Sequence, residues 1–135
     1  MTSPDSIKII NAVMIAPLFL LGISHIAQPR MWVEIFNDLA SKGNTGVIWR
    51  TFLFELWPAI LIVVFHQVWT FPGVILTAYG HLLLFKVALS LTLPSIGLRS
   101  LQQADKTGTS GFIAAGVVLI GLAALCAYQT ALAFP

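Results

Sequence analysis

Four apolar stretches, each about as long as a bilayer crossing, alternate with short polar runs along the chain. A hydrocarbon core about 30 Å thick is spanned by roughly 20 helical residues. The first stretch, Ile9 to Ala27, is interrupted by Asn11, Ser24 and His25 and carries Pro17 near its middle. It ends at Gln28-Pro29, because proline has no N–H with which to continue a helix and disfavours helical geometry in the residue before it. The second stretch, Val47 to Trp69, contains Glu55 and Pro58 and has tryptophans near both ends, where the aromatic belts of membrane helices lie. A tight hairpin at Thr70-Phe71-Pro72-Gly73 leads into the third, Val74 to Leu93, which holds His81 and Lys86 and stops at Pro94. The polar run Arg99 to Ser110 reads as a loop before the fourth stretch, Gly111 to Phe134, which has no charged residue.

Between the first two spans the pattern changes period. Met31, Trp32, Ile35, Phe36 and Leu39 fall on one helical face and Glu34, Asn37 and Asp38 on the other. A helix over residues 31–40 is too short to cross and is expected to lie in the interface. Ser41 to Gly46 then forms a flexible turn. The predicted fold is an all-α membrane protein: four transmembrane helices in a bundle, with an amphipathic interfacial helix between spans 1 and 2, as one domain over residues 1–135. Ala123, Ala127 and Ala131 make a small-residue stripe suited to close helix packing. The pattern shows no internal repeat.

Composition agrees: 58% of residues are hydrophobic and 9% charged, against about 25% charged in a soluble domain. The single cysteine, Cys126, excludes an intrachain disulfide, a Cys-x-x-Cys redox pair and a thiolate metal cage. The net charge of +2 comes from basic residues scattered over the connections, which argues for membrane orientation and against a nucleic-acid partner. Arg30, Lys42, Arg50, Arg99 and Lys106 stand against Lys8 on the opposite side, which predicts cytoplasmic connections and both termini outside. The N-terminal stretch lacks a small-x-small cleavage pattern and reads as a retained span.

Charged residues at mid-bilayer cost roughly 2.5–3.5 kcal/mol on insertion scales, so they face the bundle and find partners. At about 1.5 Å rise per residue, Glu55, Lys86 and His25 lie roughly 7, 4 and 10 Å to the cytoplasmic side of the midplane. Spans 2 and 3, joined by a hairpin, are neighbours, so Glu55 and Lys86 are expected to pair. The pair has a structural reading, an ion pair fixing the register of the hairpin. It also has a functional one, a ligand- or proton-binding site lined by His25, Glu55, Tyr79 and Lys86. On span 1, Asn11, Ile15, Leu18, Gly22 and His25 form an inward stripe; on span 3, Tyr79, Lys86 and Ser90 share a face, while His81 turns towards Thr77. His66 and His81 are weak candidates for metal or haem ligation, poorly matched in depth, and no metal-ligand spacing accompanies them. No catalytic triad, carboxylate dyad or glycine-rich phosphate loop is present in the sequence.

Gly22-Ile23-Ser24-His25 at the end of span 1, the amphipathic helix from Met31 to Ala40, and Phe54-Glu55-Leu56 in span 2 together resemble the DoxX-like group of small four-span bacterial membrane proteins. The resemblance implies the four-span fold, the bacterial inner membrane, and an association with quinol oxidase assemblies or redox and stress functions. This chain has His25 where the group often has lysine, and Trp57-Pro58-Ala59 in place of its glycine-rich stretch. Three functions are compatible with these features. The first is a non-enzymatic accessory subunit of a membrane complex, or binder of a lipophilic small molecule such as a quinone or lipid, through an inner-leaflet polar cavity. The second is a homodimeric proton-coupled transporter using Glu55. The third is a haem-carrying electron-transfer subunit.

Overall fold

The computed structural model describes residues 3–133. Among the described residues there are six α-helices, one π-helical turn and no strand. Helix α1 (Pro4–Ala27) begins under a Ser3 cap, whose hydroxyl accepts the Ser6 N–H at 3.1 Å, with Pro4 and Asp5 in the first turn. Helix α2 (Pro29–Ser41) is the amphipathic helix: Trp32 is buried, Ile35, Phe36 and Leu39 are half-buried, and Glu34 and Asp38 are exposed. The second span, Asn44–Phe65, is composite, with α3 (Asn44–Arg50), a π-helical turn (Thr51–Leu56) and α4 (Trp57–Phe65). Helix α5 (Val74–Thr92) is the third span, and α6 (Pro94–Ala133) contains the fourth. All four are long and apolar enough to cross a membrane, so the protein is an all-α membrane-type bundle.

Two expected boundaries are corrected. The second span leaves the helix at Phe65 and does not continue to Trp69, because Thr77 captures the chain that follows. Its Oγ1 accepts the Val68 N–H at 3.1 Å and lies 3.0 and 2.9 Å from the carbonyl oxygens of His66 and Val68. The polar run Arg99 to Ser110 is not a loop. Residues 94–107 are helical, with Gly97, Leu101 and Ala104 buried at helical spacing and Ser95, Arg99, Gln102, Gln103 and Lys106 exposed. The helix breaks at Gly108, whose φ of 57° and ψ of −149° suit glycine. This second amphipathic helix meets α2 side by side, with Asn37 Nδ2 donating to Asp105 Oδ1 at 3.2 Å. The predicted end of span 4 at Phe134 lies outside the described residues.

These corrections reveal an internal repeat that the apolar pattern conceals. Pro29 and Pro94, Gly43 and Gly108, and Gly46 and Gly111 are each 65 positions apart. Gln28 (φ −129°, ψ 51°) and Leu93 (φ −126°, ψ 76°) close the preceding spans in the same way. Gly43 (φ 58°, ψ −133°) and Gly108 open the following ones alike. Each half is therefore a span, a proline-initiated amphipathic helix, a glycine with positive φ, and a second span. Spans 1 and 3 cross in the same sense, as in parallel repeats related by an axis along the membrane normal. The packing obeys that exchange: span 1 lies against span 4, and span 2 against span 3.

Spans 1 and 4 cross closely, backbone against backbone. A Cβ on Gly116 would stand 2.7 Å from the Gly22 carbonyl oxygen, and one on Gly22 would stand 2.9 Å from that of Gly116. Only glycine permits this approach, the usual device by which membrane helices gain close contact. Towards the other end, Ile10, Met14 and Leu18 pack with Ile62, Leu76, Leu122 and Cys126 as the main core. The outer surface is apolar, with Leu20, Leu82, Phe85, Val117 and Leu132 all more than half exposed, as lipid contact requires.

Candidate functional site

The site grows out of the π-helical turn. Pro58 cannot donate the N–H that Phe54's carbonyl would otherwise receive, and the widened turn Thr51–Leu56 ends two residues before it. In an α-helix, residues five apart point about 140° away from each other. A π turn, with its i to i+5 bonding, brings them onto one side. Arg50 and Glu55 are so related, and Arg50 Nε lies 3.6 Å from Glu55 Oε1.

Across the hairpin, Lys86 Nζ donates to the same Oε1 at 2.5 Å. Glu55 thus holds two cations. Arg50 is fully buried and is fixed from span 3 and the following helix: Nη2 donates to Ser90 Oγ and Nη1 to Ser100 Oγ, both at 3.2 Å, with the Gly97 carbonyl at 3.5 Å. The Lys86 side chain remains 45% exposed while Glu55's is 10% exposed. With all three ionised the cluster carries one excess positive charge. Glu55 Oε2 is buried and has no hydrogen-bond partner.

This cluster forms one wall of a cavity of about 700 Å³. His25, Glu55, Tyr79 and Lys86, the four residues expected to form a site, all line it. The remaining walls are aliphatic and aromatic, with Trp32, Phe36, Phe54 and Trp57 supplying the rings. Six pairs of lining residues are repeat equivalents: Met14 and Tyr79, Pro17 and Leu82, Leu18 and Leu83, Leu21 and Lys86, Leu53 and Val118, Phe54 and Leu119. The cavity therefore straddles the axis that relates the two halves.

His25 belongs to the aromatic side. Its ring stacks on Trp32 with centroids 4.2 Å apart and leans on Phe112 at 5.6 Å. Trp32 is anchored by Nε1 donating to Ser24 Oγ at 2.9 Å. His25 Nδ1 lies 2.7 Å from the Leu21 carbonyl oxygen. A carbonyl only accepts, so Nδ1 carries the hydrogen. The repeat equivalents of His25, Trp32 and Phe112 are Ser90, Gly97 and Val47. They also meet: a Cβ on Gly97 would run into Val47 and stand 3.2 Å from the Ser90 Cβ. Arg50 occupies the room that the smaller trio leaves.

His66 and His81 lie apart from the cavity lining. Buried His66 has its Nδ1 3.0 Å from Thr77 Oγ1, and His81 donates from Nδ1 to the Thr77 carbonyl at 2.8 Å with its ring tilted against Trp69. Among the described residues no three His, Cys, Asp or Glu side chains gather in a way that could hold a metal ion.

Arg50 is the member of the charged cluster that the apolar pattern of the sequence does not reveal. Its place among the basic residues of the connection suggests a loop charge, and the structure places it at 0% exposure inside the bundle. The available signal was an arginine five residues before a glutamate, just ahead of a proline in an apolar span. No protein-family profile, curated protein or solved structure matches this chain.

Proposed function

We propose that this protein is a non-enzymatic membrane module, an accessory subunit or carrier, that binds a lipophilic small molecule such as a quinone or lipid in the central cavity. The observation behind this reading is the cavity's make-up: about 700 Å³, aromatic and aliphatic on most sides, with an ion cluster at one wall. Ligand pockets of roughly 300–1,000 Å³ with mostly apolar walls and a few convergent polar groups are the usual form of small-molecule sites. The reading rests on this geometry and does not require the DoxX-like resemblance. The cavity is assembled by the four spans of one chain, so binding needs no second copy, unlike the homodimeric transporter. Placement in a bacterial inner membrane with both termini outside is part of the proposal. With Arg50 removed from the tally, Arg30, Lys42, Arg99 and Lys106 still outnumber Lys8.

Native mass spectrometry of gently solubilised protein tests the reading. The expected result is a co-purifying lipophilic molecule, whose occupancy falls sharply in Leu83→Trp, a variant that fills the cavity from span 3. A protein that carries no such molecule, or carries it equally in Leu83→Trp, would overturn the proposal.

A further inference from the structure

The charged cluster presents one of its members to the cavity and withholds the other two. Arg50 is fully buried, with its guanidinium held by Ser90, Ser100 and Gly97. Glu55 is closed off as well: Lys86 donates to its Oε1, Arg50 Nε lies 3.6 Å from that atom, and Oε2 is buried. Lys86 lines the cavity with its side chain 45% exposed. It commits one of its three N–H donors to Glu55 Oε1, which leaves two for a guest. Tyr79, seven residues earlier on the same face of α5, also lines the cavity, and its hydroxyl makes no hydrogen bond among the described residues. The reachable polar groups are therefore donors, and the reachable charge is positive.

Charge then decides among head groups. With Arg50, Glu55 and Lys86 ionised, the carboxylate offsets one cation and leaves an excess of one positive charge. Such an excess is costly in low-dielectric surroundings until a counter-charge meets it. A cationic head group adds to the excess, and a neutral one leaves it in place. An anionic head group at Lys86 brings the cluster to two cations and two anions, and takes the free N–H donors in charge-assisted hydrogen bonds. Glu55 opposes that guest less than its own charge implies, since Arg50 already stands against it.

On the premise that the cavity binds a lipophilic molecule, we infer that its ligand class is an anionic amphiphile, a single carboxylate or phosphate group on an apolar tail, with the head group on Lys86. Trp32, Phe54 and Trp57 offer apolar ring surface to the tail. A tail longer than the cavity can leave sideways, because Val13 on span 1 and Leu53 and Trp57 on span 2 line the cavity and are each just over half exposed.

Three tritiated probes with one tail separate the possibilities: dodecanoate, dodecanamide and dodecylammonium. Each is equilibrated with the full chain in phosphatidylcholine nanodiscs at about pH 8.5, above the carboxyl range and below the amine range, and uptake by empty nanodiscs of the same lipid is subtracted. Dodecanoate is expected to bind about tenfold or more tighter than dodecanamide, the range of a hydrogen bond between charged groups. In Lys86→Met the preference should shrink to about threefold or less, and Lys86→Arg should retain it because the charge remains. The comparison of dodecanoate with dodecanamide is made on the wild-type protein, so the inference stays testable if a variant does not fold. Replacing part of the phosphatidylcholine by phosphatidylglycerol distinguishes the sources of the anion: displacement of dodecanoate assigns a lipid phosphate, undiminished binding assigns a single-chain carboxylate, and either upholds the anionic class. Equal binding of dodecanoate and dodecanamide, tighter binding of dodecylammonium, or a preference unchanged in Lys86→Met overturns the anionic assignment and leaves the cavity reading standing. Failure of all three probes, or binding unchanged in Leu83→Trp, overturns the cavity reading itself.

Discussion

Removing the two members of the Glu55–Lys86 pair is expected to have unequal costs, because Glu55 serves a second cation. Lys86→Met takes away a partner whose side chain is 45% exposed, and Arg50 Nε stays 3.6 Å from the carboxylate. The loss should be about 1 kcal/mol, the scale of a partly exposed pair. Glu55→Gln strands Arg50, which is fully buried. Uncompensated buried charge costs about 3–5 kcal/mol, and the three polar partners of Arg50 hold the figure at the lower end, about 3 kcal/mol. In the double variant Lys86 is no longer present to repel Arg50 or to seek a partner, so the combined loss should fall short of the sum of the singles by about 1 kcal/mol, above the 0.3–0.5 kcal/mol within which independent sites add. Reversible unfolding in mixed micelles, followed by far-ultraviolet circular dichroism, measures all three. Additive losses, or a Lys86→Met variant as damaged as Glu55→Gln, would refute the arrangement of one carboxylate between a buried and a half-open cation.

Three further outcomes follow from other parts of the bundle. Gly116→Val should destabilise by more than about 2 kcal/mol in the same assay, since its Cβ would stand 2.7 Å from the Gly22 carbonyl oxygen; a neutral effect would mean that spans 1 and 4 do not cross there. Thr77→Val should cost about 1–3 kcal/mol and speed amide exchange over residues 66–69, because the hydroxyl that ties down this stretch is lost, whereas Thr77→Ser should restore most of the protection. Single cysteines at Ser41 and Thr107 in a Cys126→Ser background should resist an impermeant thiol reagent in intact cells, and ready labelling of either would reverse the proposed orientation.

The spans were legible in the sequence because the transfer of apolar side chains into hydrocarbon dominates every other term. The inward stripe of span 1 was legible for a related reason. Asn11, Leu18 and Gly22 are buried, and Ile15 and His25 half-buried, since a polar or small residue gains nothing from facing lipid. The meeting of Glu55 and Lys86 followed from hairpin geometry alone. Arg50 was not legible, because ideal α-helical periodicity sends it away from Glu55 and only the π turn reverses that. The helix over residues 94–107 was hidden by its many polar residues, which read as a loop until their spacing is set against Gly97, Leu101 and Ala104. The repeat was hidden because its halves share backbone requirements at a few prolines and glycines, while lipid-facing and core positions accept any apolar side chain of suitable size.

A chamber built on the axis between two equivalent halves would accept an elongated guest in two poses of equal energy, related by a half-turn about that axis. This chain removes the choice. Tyr79, Lys86 and Glu55 face the cavity from spans 3 and 2, and their counterparts one repeat away are Met14, Leu21 and Ile120, all apolar. On the proposed reading, the wall between spans 2 and 3 takes the polar end of a bound amphiphile, and the wall between spans 1 and 4 is left for its tail.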